Sequence, residues 1–394
     1  MRLFRQSALL LVLSSLSLAA LPVAAQRAES CRCLDLTVGG KGLQIGDSKG
    51  VTGVRLNFRD SRLRRVKGIN ATLWDPYRDG AGDVDGLALG LPLTGGRTVR
   101  GLGIGAFGLS AEKDLIGIGI AGIGLGSGGQ MKGLFATGIG GGSGGDVEGV
   151  GFAGVGFGSG GNVRGVFASG VGLGAGGSLS GIMIAGVGAG AGGDASGLFV
   201  SGIGSGVAGD FTGIGIAGVG VGAGKDVTGA MIAGIGAGVG GNARGLMFAG
   251  VGAGVGGSFT GIAAGGAGFG VGENATGLLV AGLGLGAGGT IHGLAISGLG
   301  IGASRIEGIA LAGIGVGAAD MHALVAAPWV RIEGGEMRGV SIAGFNQFKG
   351  RQNGLTIGVV NYAYSLHGMQ VGVINIVRDH PSHKFLPVVN WDFR

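Results

Sequence analysis

The chain has 394 residues, of which 102 are glycine and only 13% are charged. A chain this apolar is not intrinsically disordered, and it lacks the Gly-X-Y period and the proline content of collagen. Its formal net charge of +6 is too small to indicate a nucleic acid or another polyanion as a partner.

The first segment, residues 1–25, has the pattern of a secretory signal peptide. Two arginines precede a short apolar stretch, and Val23 and Ala25 occupy the small-residue positions of a cleavage site before Gln26. An uncleaved N-terminal membrane anchor is the alternative. The segment therefore predicts an exported protein, located at the cell surface, in the outer membrane or in the periplasm.

Residues 26–84 break the pattern that follows and are predicted to form an N-terminal capping region, because solenoids need atypical end repeats. Cys31 and Cys33 are too few to staple the whole chain, and their redox state stays open. The basic residues of this region are interpreted as a solvated strand edge, with a docking patch for anionic lipid or glycan as the alternative. They are Arg55, Arg59, Arg62, Arg64, Arg65 and Lys67.

A 16-residue repeat starts at Ile116, and looser copies extend the array over residues 85–353. One unit, residues 164–179, reads RGVFASGVGLGAGGSL. Its glycines exclude a helical solenoid, because each costs about 1 kcal/mol relative to alanine inside a helix. Alternation of apolar residues with glycine is typical of strands. The repeat therefore predicts a parallel β-solenoid, with one 16-residue coil per unit and coils stacked about 4.8 Å apart.

The pattern within the unit predicts which side chains face the core. We number the positions 1 to 16, with Ile116 and Arg164 at position 1. Positions 3, 5, 8, 10 and 16 are predicted to point inward, with corners at positions 6–7 and at the Gly-Gly-polar run. Position 4 would then point outward and form an apolar interaction stripe. Its bulkiest members are Phe135, Phe167, Met183, Phe199, Met231 and Met247.

The alternative fold is a transmembrane β-barrel made of repeated strands. From Ile116 onward, positions 2–12 of each unit are uncharged, a length that suits a membrane strand. Against this alternative, the strict array has no aromatic girdles, no alternation of short and long turns and no polar face to line a lumen.

The C-terminal region, residues 354–394, carries a second motif. The segment GLTIGVVN at residues 354–361 recurs as GMQVGVIN at residues 368–375, and an aromatic tail follows. These residues resemble a bacterial glycine-rich surface-repeat family whose units read Gly-aliphatic-Gln-aliphatic-Gly-aliphatic-aliphatic-Asn. The resemblance implies a location at the surface or envelope and no established activity.

No catalytic, cofactor or metal site is predicted. His380 and His383 are interpreted as part of a loop and not as metal ligands. Position 15 holds aspartate too rarely for a calcium-binding roll, and Asx capping of a turn explains that position. The many Gly-x-Gly-x-x-Gly matches lack a strand-to-helix context, so they do not indicate a nucleotide site.

The sequence therefore predicts a non-enzymatic structural or interaction protein that presents a repetitive β surface at the cell envelope. An outer-membrane barrel acting as a pore or anchor is the alternative. Because an exposed apolar stripe usually marks a contact surface, self-association or binding to envelope and outer-membrane components is expected. Neither nucleic acid nor a small-molecule substrate is expected.

Overall fold

The computed structural model of the protein describes residues 33–77, 79–380 and 382–393. They form a parallel β-solenoid of about 19 turns. The predicted fold class is therefore confirmed. The predicted signal peptide, residues 1–25, and Cys31 lie outside the described residues, whereas Cys33 is described and is disulfide-bonded.

Each coil of the strict array contains one long and one short strand, because glycine-rich corners interrupt the alternating pattern twice. The seven-residue strands are β9 (Met131–Thr137), β11 (Val147–Ala153), β13 (Val163–Ser169), β15 (Leu179–Ala185), β17 (Ala195–Ser201), β19 (Phe211–Ala217), β21 (Val227–Ala233), β23 (Ala243–Ala249), β25 (Phe259–Gly265) and β27 (Ala275–Ala281). The four-residue strands are β8 (Gly124–Ser127), β10 (Gly140–Ser143), β12 (Gly156–Ser159), β14 (Gly172–Ala175), β16 (Gly188–Ala191), β18 (Gly204–Val207), β20 (Gly220–Ala223), β22 (Gly236–Val239), β24 (Gly252–Val255) and β26 (Gly268–Val271).

The less regular coils lie on both sides of this array. On the N-terminal side are β1 (Cys33–Val38), β2 (Lys41–Gly46), β3 (Gly50–Asn57), β4 (Arg65–Thr72), β5 (Asp83–Gly90), β6 (Leu93–Gly105) and β7 (Gly108–Ala121). On the C-terminal side are β28 (Gly284–Ser297), β29 (Gly300–Ala312), β30 (Gly315–Ala326), β31 (Trp329–Ile332), β32 (Glu336–Val377) and β33 (Phe385–Asp392).

Pairing in the strict array is parallel and follows the repeat. Strand β13 pairs with β15, so that Phe167 lies beside Met183, its equivalent 16 residues later. The short strands pair in the same way, for example Leu173 of β14 with Ala189 of β16. Because every strand bonds to its equivalent in the next coil, the chain winds as a solenoid and the barrel alternative does not describe it.

Inward-facing side chains alternate along each coil, as the period of 2 in a β-strand requires. Positions 4, 6, 10, 12 and 16 point into the core, and they carry mainly Ala, Val, Phe and Met. The predictions for positions 10 and 16 are therefore correct. The predictions for positions 3, 5 and 8 are wrong, because these positions point outward. The first corner lies at positions 7–8, one residue later than predicted, as shown by Gly186 and Val187.

Position 2 is a column of glycines at the bend of the long strand. Gly213 has a φ of +137°, and a Cβ atom there would lie 2.0 Å from the carbonyl oxygen of Gly197 in the preceding coil. These residues adopt positive φ values that residues with a Cβ atom rarely occupy, and a side chain has no room there. The column runs from Gly42 to Gly368, interrupted by Ala323.

Both ends of the solenoid are closed by antiparallel strands. At the N-terminal end, β1 pairs antiparallel with β2, and at the C-terminal end β33 pairs antiparallel with β32. The winding itself starts at β2, which pairs in parallel with β3. Most of the described part of the predicted capping region therefore belongs to the solenoid, and only its first strand covers the end coil.

An ionic cluster fills the core of the N-terminal coils. The side chains of Arg55 and Asp60 are fully buried and form an ion pair. The same guanidinium donates to Asn70 Oδ1 at 3.0 Å and to Ser48 Oγ at 3.0 Å. Arg55 is therefore not part of a solvated strand edge. It holds three neighbouring coil segments together.

Other predicted members of the basic cluster lie at the surface but have partners. The Arg59 guanidinium stacks on the Tyr77 ring, 3.7 Å from its centroid. Arg65 forms an ion pair with Asp85 at 2.5 Å. The carboxylate of Asp85 neutralises the charge of Arg65, and the ring of Tyr77 covers the guanidinium of Arg59. Both contacts weaken the case for a patch that binds anionic lipid or glycan.

The C-terminal motif forms a ladder of buried asparagines. Asn361 is fully buried; its Nδ2 donates to Asn375 Oδ1 at 2.7 Å, and its Oδ1 accepts from Asn346 Nδ2 at 2.8 Å. A Cβ atom on Gly358 would lie 2.7 Å from both Asn361 Oδ1 and Asn346 Nδ2. The Gly-aliphatic-aliphatic-Asn spacing thus leaves room for the asparagine side chains over the glycine backbone.

We expect Asn361→Ala to lower the free energy of unfolding by about 2–3 kcal/mol, because the buried Asn375 Oδ1 loses its donor and Asn346 Nδ2 keeps only its longer bond to Ile357 O at 3.3 Å. Equilibrium urea denaturation followed by circular dichroism measures the change. Asn353→Ala is the control, since Asn353 is half-buried and makes one hydrogen bond, to Glu336, at 3.2 Å. Equal losses in the two variants would contradict the importance assigned to the ladder.

Candidate interaction surface

The predicted interaction stripe at position 4 is not exposed. Phe135, Phe167, Met183, Phe199, Met231 and Met247 are all buried in the core. Phe167 is 0% exposed, and its ring lies 5.1 Å from that of Phe157. The prediction was wrong because strand alternation fixes only that positions 3 and 5 face opposite to position 4, and both sets are apolar here.

A volume pattern along position 4 carries the signal that identifies it as core. Glycines interrupt the bulky residues of this column at Gly119, Gly151 and Gly215. A Cβ atom on Gly151 would lie 2.5 Å from the ring of Phe167 in the next coil. Such compensation between large and small residues is expected where side chains share a closed space. Positions 3 and 8, in contrast, hold mainly aliphatic residues of similar size.

We expect Phe167→Ala to lower the free energy of unfolding by about 3–5 kcal/mol, because it leaves a cavity in a closed core. The adjacent change Val166→Ala removes an outward side chain that is 37% exposed, and about 1 kcal/mol or less is expected there. Urea denaturation of both variants measures the difference. A larger loss for Val166→Ala would reverse the assignment of inside and outside.

The exposed apolar residues lie at positions 3, 5 and 8, and we call these three columns the apolar face. The following side chains of these columns are between 37% and 53% exposed. Position 3 contributes Ile118, Leu134, Val166, Ile182, Ile214 and Leu246. Position 5 contributes Ile120, Phe152, Ile184, Ile216, Ile232 and Phe248. Position 8 contributes Ile139, Val155, Val171, Val187, Ile203 and Val219.

A groove lies beside the position 5 column in the coils between Ile120 and Gly170. Small residues at positions 6 and 7, such as Ala153 and Gly154, form its floor, and its volume is about 420 Å³. A second groove, of about 720 Å³, lies in the N-terminal coils, where Leu73 and Leu91 line it. These coils therefore combine a ridge with a groove.

A polar edge borders the apolar face on the side of positions 15 and 1. The side-chain oxygen at position 15 accepts a hydrogen bond from the backbone N–H of position 15 in the next coil. Asp194 Oδ1 accepts from Asp210 N at 2.9 Å, and Asp210 Oδ1 accepts from Asp226 N at 3.0 Å. These aspartates thus satisfy the corner backbone, as the Asx interpretation predicts.

Charged side chains on this edge pair between coils. Lys132 Nζ lies 2.8 Å from Glu148 Oε2, and this contact lowers the pKa of Glu148. In the N-terminal coils, Arg97 donates to Asp83 at 2.9 Å and lowers the pKa of that carboxyl. Both pairs lie outside the columns at positions 3, 5 and 8, so the apolar face itself carries no charge in the strict array.

A strip without side chains lies on the short strands, across the core from positions 3 and 5. Positions 9 and 11 of the short strands are glycines that point outward, and a Cβ atom on Gly206 would meet nothing within 4 Å. The strip is therefore flat and exposes backbone that is already paired within the sheet.

His380 and His383 lie together beside strand β33. The rings of His380 and His383 stack at 5.4 Å, and His380 Nε2 lies 3.5 Å from Asp392 Oδ2. Over residues 33–77, 79–380 and 382–393, no group of three or more His, Cys, Asp or Glu side chains is arranged to hold a metal ion. Over the same ranges, no helix has the length and apolar character to cross a bilayer.

The fold and its repetitive surface define the class of protein: the chain is a β-solenoid repeat protein. No protein family model, curated protein or solved structure matches it.

Proposed function

We propose that this protein is exported and acts as a non-enzymatic structural element of the cell envelope, presenting a repetitive β surface. The observation that carries the proposal is the apolar face, which continues over many coils of a solenoid closed at both ends. Soluble monomers rarely expose an apolar patch larger than a few hundred Å². A surface of this length is therefore best explained as an interaction surface.

Two sequence features support the location. Residues 1–25 have the signal-peptide pattern, and the repeats at residues 354–375 resemble those of a bacterial surface-repeat family. The Asx residues at position 15 favour a structural role, because their side-chain oxygens accept hydrogen bonds from the backbone of the next coil. The groove in the N-terminal coils, around Leu73 and Leu91, is lined almost entirely by apolar residues.

Export can be tested in a Gram-negative host that expresses the full chain with a C-terminal tag. We expect the protein in the envelope fraction, with a mature N-terminus at Gln26. A variant that lacks residues 1–25 is the matched control and is expected to stay in the cytoplasm. Accumulation of the uncleaved full chain in the cytoplasm would overturn the proposed location.

The envelope role can be separated from export by washing the membrane fraction with carbonate. A peripheral structural protein is expected to be released by the wash. In a second experiment, intact cells are treated with protease, and cleavage of the protein shows that it faces outward. A protein found entirely in the culture medium as a free monomer would contradict an envelope role while leaving export intact.

A further inference from the structure

We propose that the apolar face is an interface between two copies of this chain, which pack face to face along their lengths. The occupant is inferred from three features of the face: its area, its shape and its spacing. The pairing is independent of where the protein resides, so it can fail or hold separately from the proposed export.

The area of the face is what a stable dimer needs. About 19 turns at about 4.8 Å per turn give a length of roughly 90 Å. A width of about 15 Å across positions 3 to 8 then gives more than about 1,000 Å² on each copy. Stable protein interfaces bury about 800 Å² on each partner. A face of this size left in water is unusual for a monomer.

The shape of the face complements itself. The position 5 column is a ridge from which Ile184 and Ile216 project, and between Ile120 and Gly170 a groove over positions 6 and 7 lies directly beside that ridge. In a two-fold arrangement, the ridge of each copy lies in the groove of the other. In such an isologous contact, both copies use the same surface, so the assembly stops at a dimer.

The spacing of the face matches that of a second copy of the chain. Equivalent side chains recur once per coil, as Ile182 and Leu198 do in the paired strands β15 and β17. A second copy presents the same interval, so the contact made by one coil is repeated by the next along the face. Two packed β-sheets lie about 10 Å apart with interdigitated side chains.

The polar edge of the face is compatible with this packing. The ion pair of Lys132 with Glu148 lies on that edge and stays in solvent. Arg164 and Arg244 also lie there, at position 1, and both are exposed. No charge is therefore buried between the columns at positions 3, 5 and 8, where it would oppose association.

Sedimentation velocity of the full chain in detergent-free buffer tests the proposal. We expect a dimer with twice the 38.0 kDa mass of one chain. The double variant Ile184→Lys/Ile216→Lys places charges on the ridge and is expected to weaken dimerisation by at least about 100-fold. Its matched control, Ser180→Lys/Thr212→Lys, adds the same charge at position 1 of the same two coils and is expected to leave the dimer intact.

Circular dichroism of all variants shows whether they remain folded, so loss of the dimer is not confused with unfolding. A wild-type chain that stays monomeric at high concentration overturns the proposal. It is also overturned if both double variants dissociate equally. Vesicles of phosphatidylethanolamine and phosphatidylglycerol provide the last test: a monomer that binds them, and loses binding through Ile184→Lys/Ile216→Lys, would assign the face to a membrane instead.

Discussion

Substituting one glycine at position 2 is expected to disrupt the coil that contains it. Gly213→Ala should lower the free energy of unfolding by about 3–5 kcal/mol, or prevent local folding, because two costs combine. The φ of +137° is unfavourable for any residue with a Cβ atom, and the new methyl would lie 2.0 Å from Gly197 O. Backbone cannot move away there without breaking the ladder between coils.

The same substitution at position 11 is the matched control. A Cβ atom on Gly206 meets nothing within 4 Å, and this residue does not have a positive φ. Gly206→Ala should change the free energy of unfolding by less than about 1 kcal/mol, because the alanine methyl points into solvent. Urea denaturation, with hydrogen exchange to locate the effect, compares the two. Similar losses at Gly213 and Gly206 would refute the role given to the position 2 column.

The second large effect is expected in the ionic core of the N-terminal coils. Asp60→Asn should lower the free energy of unfolding by about 3–5 kcal/mol, because it leaves the buried Arg55 charge without its buried counter-ion. The remaining carboxylate contact, from Asp47 Oδ1, is longer at 3.3 Å and is partly exposed to solvent. Hydrogen exchange should show the loss in the coils around residues 41–105 first.

Two comparisons isolate the charge effect. The double variant Arg55→Met/Asp60→Leu removes both charges and should recover much of the stability lost in Asp60→Asn. Arg65→Gln breaks a surface ion pair whose arginine side chain is 53% exposed, and a change of about 1 kcal/mol or less is expected. If Asp60→Asn were no more damaging than Arg65→Gln, the cluster would not hold the first coils together.

The fold class could be predicted because the 16-residue period is unbroken over many units and the glycine content excludes helices. The anchors at position 16, such as Leu179 and Phe211, were also predictable, since they are apolar residues between polar ones. Each of these inferences depends only on the pattern of residue types along the chain. A repeat makes that pattern highly informative, because the same pattern occurs in many units.

The direction of the side chains could not be settled by the same reasoning. Both faces of the long strand are apolar, so hydrophobicity does not distinguish Val166 from Phe167. Polarity usually makes the distinction, and it fails where the outer surface is itself apolar. Only the pairing of a small residue with a large one in adjacent coils, such as Gly151 beside Phe167, indicates which face points inward.

The burial of Arg55 could not be predicted from the sequence either. Its partners Asp60 and Asn70 are 5 and 15 residues away, and the nearby coils do not keep the 16-residue period. Without that period, the residues that come to lie side by side cannot be assigned from spacing. A cluster of arginines then has the appearance of a surface patch, although one member is the centre of a buried network.

The constant interval in the strict array also bears on how this chain can change in length over evolution. Gly101 to Gly293 of the position 2 column follow one another every 16 residues, and each coil contacts mainly the coils next to it. Gain or loss of one whole unit would therefore preserve every neighbouring contact and both end strands. Recombination between repeats can therefore lengthen or shorten the solenoid in steps of about 4.8 Å. The residue types on its faces stay the same.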